Sequence, residues 1–391
     1  MTILQPIKSR VKRALVKGSL RGWEAGDQSL GGPVTVVGFF SASSGIGEGA
    51  RRLYASLKAA GLEVYAYDVA GFIDPAMSKI AFKSDADPGR GPLILHVNPP
   101  EIGAVLAHFK PKNLDKRYRI GCWVWELETP PDSWKSYMPY CHELWAPSQF
   151  SANAIARFGR PCINVGYGFD AVPLATVQSP SAELKCLIVA DALSSWERKN
   201  PVGGVDAFLK AFGPNDNVSL TVKLSNVSAA SDNWKAIQAR AAGSSQIHFL
   251  TDTMTRAQMN EVLDAHSVVI NLHRSEGYGL PIAEALLRGK DSVFTAWSSP
   301  EEFTHLNGAH GIGFNFCDTN DSAGHYKGGR WAEPNLDEAV AVLRDIYKTW
   351  NTSSQDAWDR RRETIAQSAH NFFSYAAFAS RNQAIINDLQ D

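Results

Sequence analysis

Residues 273–285 combine the side chains and spacing most suited to chemistry: His273-Arg274-Ser275-Glu276-Gly277-Tyr278-Gly279-Leu280-Pro281-Ile282-Ala283-Glu284-Ala285. An apolar run, residues 268–272, leads into a loop with two glycines, then Pro281 and a helical pattern over residues 283–288. Proline suits the first positions of a helix, where its missing N–H costs nothing. The pattern predicts a strand-to-helix crossing that aims the free N–H groups of a helix start at an anion. Glu276 and Glu284 frame this turn eight positions apart. Carboxylates are poor phosphate ligands but good acceptors for hydroxyls. Phosphate and hydroxyls together point to a nucleotide sugar. Arg198 and Lys199, adjacent where another loop meets a helix, could neutralise a diphosphate without a metal; alone they read equally well as a surface pair.

Positioning such residues takes an open parallel sheet. Residues 33–40 form a short apolar strand pattern that runs into a glycine loop, Ser41 to Arg51 by way of Gly45, Gly47 and Gly49, and then a helical pattern. Strand, loop and helix in that order are the first unit of a doubly wound α/β sheet. The loop lacks the Lys-[Ser/Thr] of a P-loop and misses the G-x-G-x-x-G spacing, so a dinucleotide fingerprint is not supported. What remains is a loop that lets a ligand approach backbone closely, or a tight turn. Strand patterns follow at residues 62–67, 93–97 and 119–124. The second ends near His96 and Asn98, the third at Trp123-Val124-Trp125-Glu126. Polar groups just past strand carboxyl ends sit where such sheets bind ligands. His96 alone reads as a structural histidine, whereas Glu126 among tryptophans has the aromatic faces and the carboxylate that a sugar site uses. A linker is expected within residues 172–182. A second strand series then begins at 184–189 and continues at 218–224, 247–250 (followed by Asp252), 268–272 and 292–296, with helices between. Trp331-Ala332-Glu333-Pro334 introduces a helix over residues 335–350, and residues 357–391 are helical with a break at 371–374.

The 391 residues predict two domains. The hydrophobic fraction of 44% and charged fraction of 20% are those of a soluble globular protein. A net charge of −1 argues against nucleic acid as a partner. Five scattered cysteines without a C-x-x-C pair read as free thiols in a reducing compartment. No apolar run approaches the ~18 residues that span a bilayer, and no secretory signal is apparent, so a cytoplasmic location is expected. Lys8, Arg10, Lys12, Arg13, Lys17 and Arg21 accumulate before the first acidic residue. Residues 1–30 thus form a basic arm, and residues 7–21 read either as a peripheral contact with an anionic membrane face or as a solvated tail.

In order along the chain, these pieces resemble the family 4 glycosyltransferases of the GT-B fold, in particular a subgroup of bacterial polysaccharide and glycan assembly. The resemblance covers about residues 33–390. It is carried by the E-x7-E pair Glu276 and Glu284, Glu197-Arg198-Lys199-Asn200-Pro201, Trp123-Val124-Trp125-Glu126-Leu127, Trp145-Ala146-Pro147-Ser148, the Gly45-Ile46-Gly47-Glu48 loop and Trp331-Ala332-Glu333-Pro334. It implies two Rossmann-like domains facing across a cleft. Residues 31–175, rejoined by a last helix at about 374–391, would be the acceptor half; residues 183–373 would be the donor half. It further implies a retaining, metal-independent hexosyl transfer from a nucleotide-diphosphate sugar to a glycan, lipid-linked or protein-linked hydroxyl, with no cofactor.

Under that resemblance Arg198 and Lys199 hold the diphosphate, Glu284 the ribose, and Glu276 the transferred sugar. Gly279 and Leu280, with Gly45 and Gly47, present backbone amides, and Tyr278 and Asp252 stand on the donor side. Glu126 lies near the chemistry, with Asn98, Trp125 and Arg51 toward the acceptor. The family's first-domain histidine has no match here; Asn98 and Glu126 hold the comparable places. The only D-x-D, Asp85-Ala86-Asp87, lies far along the chain from the donor motif. The alternatives are a catalytically weak nucleotide-sugar or glycan-binding protein, and a GT-B epimerase or phosphorylase. Donor hydrolysis without acceptor and dependence on free phosphate discriminate them.

Overall fold

A computed structural model describes residues 30–109, 114, 117–175, 180 and 182–390; the basic arm expected at residues 1–30 lies, but for Leu30, outside the described residues. The chain divides into two compact units, one through Asp170 with Ser374–Asp391 added back, the other Ala171–Phe373.

In the first unit the apolar runs become strands covered on both faces, as parallel sheets require. β1 (Val34–Gly38) is buried at every position and leads into α1 (Gly45–Ala59), then β2 (Val64–Asp68) and the short α2 (Ala70–Ile73). β3 (Leu93–His96), α3 (Pro99–His108), β4 (Arg119–Cys122), β5 (Glu143–Ala146), α4 (Gln149–Ala156) and β6 (Ile163–Asn164) follow. The strand order is β2-β1-β3-β4-β5-β6, parallel throughout. Successive strands go to opposite sides of β1, which puts the topological switch between β1 and β3. Gly47 has the close approach that excludes a side chain: a Cβ there would lie 2.6 Å from the Phe39 carbonyl oxygen.

The second unit repeats the plan with β7 (Leu184–Asp191), α5 (Trp196–Lys199), α6 (Pro201–Ala211), β8 (Val218–Ser225), α7 (Ser231–Ala241), β9 (Ile247–Leu250), α8 (Arg256–Asp264), β10 (Val268–Asn271), α9 (Leu280–Leu287), β11 (Asp291–Thr295) and β12 (Ala309–Ile312). Its strand order is β12-β11-β10-β7-β8-β9, with the switch between β7 and β10. The even positions of β8 (Val218, Leu220, Val222, Leu224) enter the main core. The four residues Trp331 to Pro334 do lead into the expected helix, which Asn335 caps, but they are themselves a strand. They belong to β14 (Arg330–Pro334), paired antiparallel with β13 (Phe314–Asp318). This hairpin escapes the sequence because its strands are short and eleven intervening residues carry no apolar alternation. α10 (Leu336–Thr352) and α11 (Gln355–Phe373) complete the unit.

The chain then returns to the first unit. Ser374 bridges Phe169, and α12 (Tyr375–Arg381) and α13 (Gln383–Gln390) lie there, with the Asn382 amide donating to the Val165 carbonyl at 2.9 Å. No described helix is long and apolar enough to cross a membrane.

Candidate functional site

The two central strands of the second unit end side by side, and the loops that leave them are laced together. From β7 the chain reaches α5, a single turn that carries Arg198 and Lys199. Ser195 caps it with φ 56°, and Asn200 ends it in the left-handed region with φ 48° and ψ 49°. The Asn200 side chain then accepts from the Gly203 N–H at 3.1 Å, starting α6, and donates to the Leu272 carbonyl at 2.8 Å. That bond ties α5 to the exit of β10. Further stitches run from the Arg274 N–H to the Arg198 carbonyl at 2.7 Å, and from the Arg198 guanidinium to the Ser275 carbonyl at 2.7 Å.

Arg198, Lys199 and Glu276 therefore meet. Lys199 Nζ donates to one Glu276 carboxylate oxygen at 2.6 Å and Arg198 to the other at 3.4 Å. Arg198 is 2% exposed and Glu276 5%. Burial pushes the Glu276 carboxyl up, but Lys199, Arg198 and His273 outweigh it and hold it at about 2. His273 is fully buried beside this cluster, and neither ring nitrogen has a hydrogen-bond partner. Burial lowers its pKa to about 3, with Lys199 and Arg198 adding to the effect and Glu276 opposing it, so it is neutral. Two cations against one carboxylate leave a positive charge, the charge an anionic ligand seeks. The Glu276 N–H donates to Ser298 Oγ at 2.9 Å from the end of β11.

Gly279 turns the loop into α9 with φ 97°, a conformation open to glycine at little cost. Leu280 is the first residue of α9 and Pro281 the second. Glu284 lies one turn further, 7% exposed, and pairs with Arg256 of α8 at 2.5 Å. It belongs to the same strand-edge region but does not join the Arg198–Lys199–Glu276 contact. Tyr278 packs its ring against Phe303, centroids 5.6 Å apart. Asp252 is exposed beyond β9 at the sheet edge. With Asp191 it raises the pKa of Lys223, which burial lowers by a larger amount.

In the first unit the corresponding strand ends hold Gly45, Gly47, Arg51, Asn98, Trp125 and Glu126. Ser44 caps α1 through the Gly47 N–H. Arg51 donates to the Phe40 and Ala42 carbonyls at 2.6 and 3.0 Å and pairs with Glu48, closing its own glycine loop. Asn98 accepts from the Val124 N–H at 2.9 Å, joining the ends of β3 and β4. Trp125 is buried, its indole N–H on the Thr129 carbonyl at 3.0 Å, and Glu126 is half-buried. His96 is fully buried and bonds the Tyr167 hydroxyl at 2.8 Å. Asp85 accepts from the Ala66 N–H, and Asp87 pairs with Arg117 at 2.7 Å, so this D-x-D braces the β1–β2 edge.

Several participants were not legible in the sequence. Arg256 pairs with Glu284, Ser298 accepts from the Glu276 N–H, and the hairpin reaches the same loops. Glu333 of β14 pairs with both nitrogens of the Arg274 fork. The Tyr326 ring lies 5.8 Å from the Arg198 guanidinium, and Ser195 donates to Asp321 at 3.3 Å.

No family model matches the chain, and no curated protein matches it. Solved structures do. HepE of Anabaena, in complex with UDP and glucose, is 14% identical, with a TM-score of 0.61 over 91% of this chain and 99% of that one. A glycosyltransferase of Rickettsia africae is 12% identical, with a TM-score of 0.60 over 93% and 99%. WaaG, a glycosyltransferase of lipopolysaccharide biosynthesis, is 14% identical, with a TM-score of 0.55 over 90% and 99%. At such identities the likeness shows the fold alone, and the fold is that of the GT-B glycosyltransferases.

Proposed function

We propose that the chain transfers a sugar, with retention and without a metal, from a nucleotide-diphosphate sugar to a hydroxyl of a glycan, lipid-linked or protein-linked acceptor. One observation carries this reading: the buried Arg198–Lys199–Glu276 cluster stands at the switch point of a doubly wound sheet, beside the start of α9. Crevices at such switch points are where open α/β sheets bind ligands. The net positive charge of the cluster and the amides of Gly279 and Leu280 suit a diphosphate. Glu284 suits a ribose diol. HepE is described in complex with UDP-glucose, which makes UDP-glucose the first donor to test.

In this reading the bond from the anomeric carbon to the diphosphate oxygen breaks, and its electron pair stays on that oxygen. Arg198 and Lys199 stabilise the growing charge where it develops, usually the largest contribution in such sites. Glu276 orients the sugar as positive charge spreads over its ring. The acceptor hydroxyl enters on the face the leaving group vacates, and its proton passes to the departing phosphate oxygen. The residues of the first unit, Gly45, Gly47, Asn98, Trp125, Arg51 and Glu126, would serve the acceptor and the sugar. The test is incubation of the chain with UDP-, GDP-, ADP- and TDP-sugars, with and without EDTA. Product configuration is read by proton NMR. Retention undiminished by EDTA is expected, and Arg198→Ala or Lys199→Ala should each lower kcat about 10²-fold. An inverted product, a strict metal requirement or full activity in both variants overturns the corresponding part of the reading.

A further inference from the structure

Among the described residues, four other than glycine have positive φ: Ser195, Asn200, Asn226 and Ser298. Asparagine visits this region readily because its short amide bonds locally. Ser298 is a different case. Its φ of 59° comes with ψ −148°, close to a combination that only glycine adopts without strain. A glycine here would remove the strain, so the serine side chain needs a reason to be present. Its hydroxyl is buried and fully used: it donates to the Trp297 carbonyl at 2.6 Å and accepts from the Glu276 N–H at 2.9 Å.

The same segment grips the Glu276 loop twice more. The Ser299 N–H donates to the Glu276 carbonyl at 3.4 Å, and Thr295 Oγ1 donates to the His273 carbonyl at 2.5 Å. The end of β11 thus fixes the main chain on either side of the carboxylate. That placement decides whether Lys199 at 2.6 Å and Arg198 at 3.4 Å both reach it. Displacements of about 1 Å in catalytic geometry can cost about 10²-fold in rate.

We infer that Ser298 is a positioning residue, whose strained backbone aims its hydroxyl at the Glu276 N–H and so sets where the Glu276 carboxylate stands between Arg198 and Lys199. The kinetic consequence rests on the proposed transfer reaction; the geometric one concerns Glu276 alone. Two variants of the full chain separate backbone from hydroxyl. Ser298→Gly removes both strain and hydroxyl, and Ser298→Ala keeps the strain and removes the hydroxyl. The Gly variant should melt at or above the parent, and the Ala variant below it. In both, kcat should fall about tenfold or more, with KM moved by less than about threefold.

With glutamate side chains 13C-labelled, the Glu276 carboxyl, held at about 2 in the parent, should titrate closer to its ordinary 4.5. A Gly variant with parental kcat and parental Glu276 titration overturns the inference. So does a Gly variant destabilised as much as the Ala variant. If the parent transfers sugar from no donor, the functional reading fails by itself, and the Glu276 titration still decides the role of Ser298.

Discussion

Glu276→Gln isolates the charge of the buried cluster, because the amide keeps the size of the carboxylate and one acceptor oxygen while leaving Arg198 and Lys199 without a counter-charge. The cost follows from the titration. The carboxyl falls from 4.5 to about 2, which at roughly 1.4 kcal/mol per unit amounts to about 3 kcal/mol. Breaking a buried ion pair by removing one partner costs about 3–5 kcal/mol, so the two routes agree. For a unit of this size a kcal/mol shifts the melting temperature by about 2–4 °C, which predicts a fall of about 6–12 °C at pH 7. The sign with pH is fixed. A carboxyl whose folded pKa is depressed contributes stability above its unfolded value, and that contribution is lost as pH falls through the folded one. The gap between parent and variant should therefore be constant from pH 7 to about 5 and shrink from about 4.5 toward 2. Thermal unfolding followed by tryptophan fluorescence across this range is the assay. A shift under about 2 °C at pH 7, or a gap that stays constant down to pH 3, would refute the charge argument.

Gly45 and Gly47 should part company: a Cβ at Gly45 meets nothing within 4 Å, whereas one at Gly47 strikes two carbonyl oxygens below 3 Å. Gly45→Ala should fold normally yet lower transfer if substrate approaches that backbone, and Gly47→Ala should lose stability; equal melting temperatures for the two would contradict the packing. Burial holds His96 and His266 at about 4 and His273 at about 3, below the ordinary 6.5. Each contributes stability above pH 6.5 that is lost as pH falls toward its folded value, roughly 1.4 kcal/mol per pH unit per histidine. Urea midpoints should drop between pH 6 and 5, and a flat profile would count against neutral burial. Deleting residues 1–22 should abolish flotation with anionic liposomes if the basic arm binds membrane; unchanged flotation removes that proposal.

What the sequence made legible were features with strong local signatures. β10 and α9 follow from an apolar run and a Gly-Leu-Pro turn, and Arg198 and Lys199 from adjacent cations at a helix start. The meeting of Glu276 with those cations depends on β10 lying against β7, a crossover pairing that no local pattern encodes. Ser298 escaped because a strained φ is a tertiary property; its sequence context, Ser-Ser-Pro, reads as an ordinary turn. Arg256 escaped for a related reason, since its partner Glu284 is 28 positions away on another helix. The hairpin was missed because Pro334 announces only the helix that follows, although proline is also tolerated at the end of an edge strand. Arg51 and Asn98 illustrate a second kind of hidden contact: polar groups at strand ends, expected to face a ligand, also bond nearby backbone and hold their own loops.

The distribution of strain separates the two units in a way their similar topology does not. All four non-glycine residues with positive φ among those described lie in the second unit: Ser195 after β7, Asn200 at the end of α5, Asn226 after β8 and Ser298 after β11. Conformations of this kind cost of order 1–3 kcal/mol and persist only where surrounding contacts over-determine them. Here the contacts are specific: Asn200 grips Leu272, Asn226 donates to Asp191 at 2.8 Å, and Ser298 holds Glu276. The described part of the first unit carries no such residue. Under the proposed transfer, strain is thus concentrated where fixed charges would face an anion, because a stabilising dipole that has to reorient during reaction loses much of its effect. A surface that accepts a hydroxyl has no comparable demand. The asymmetry therefore agrees with the proposal that Ala171–Phe373 would carry the charge-stabilising part of the transfer, on grounds independent of the Glu276–Glu284 spacing.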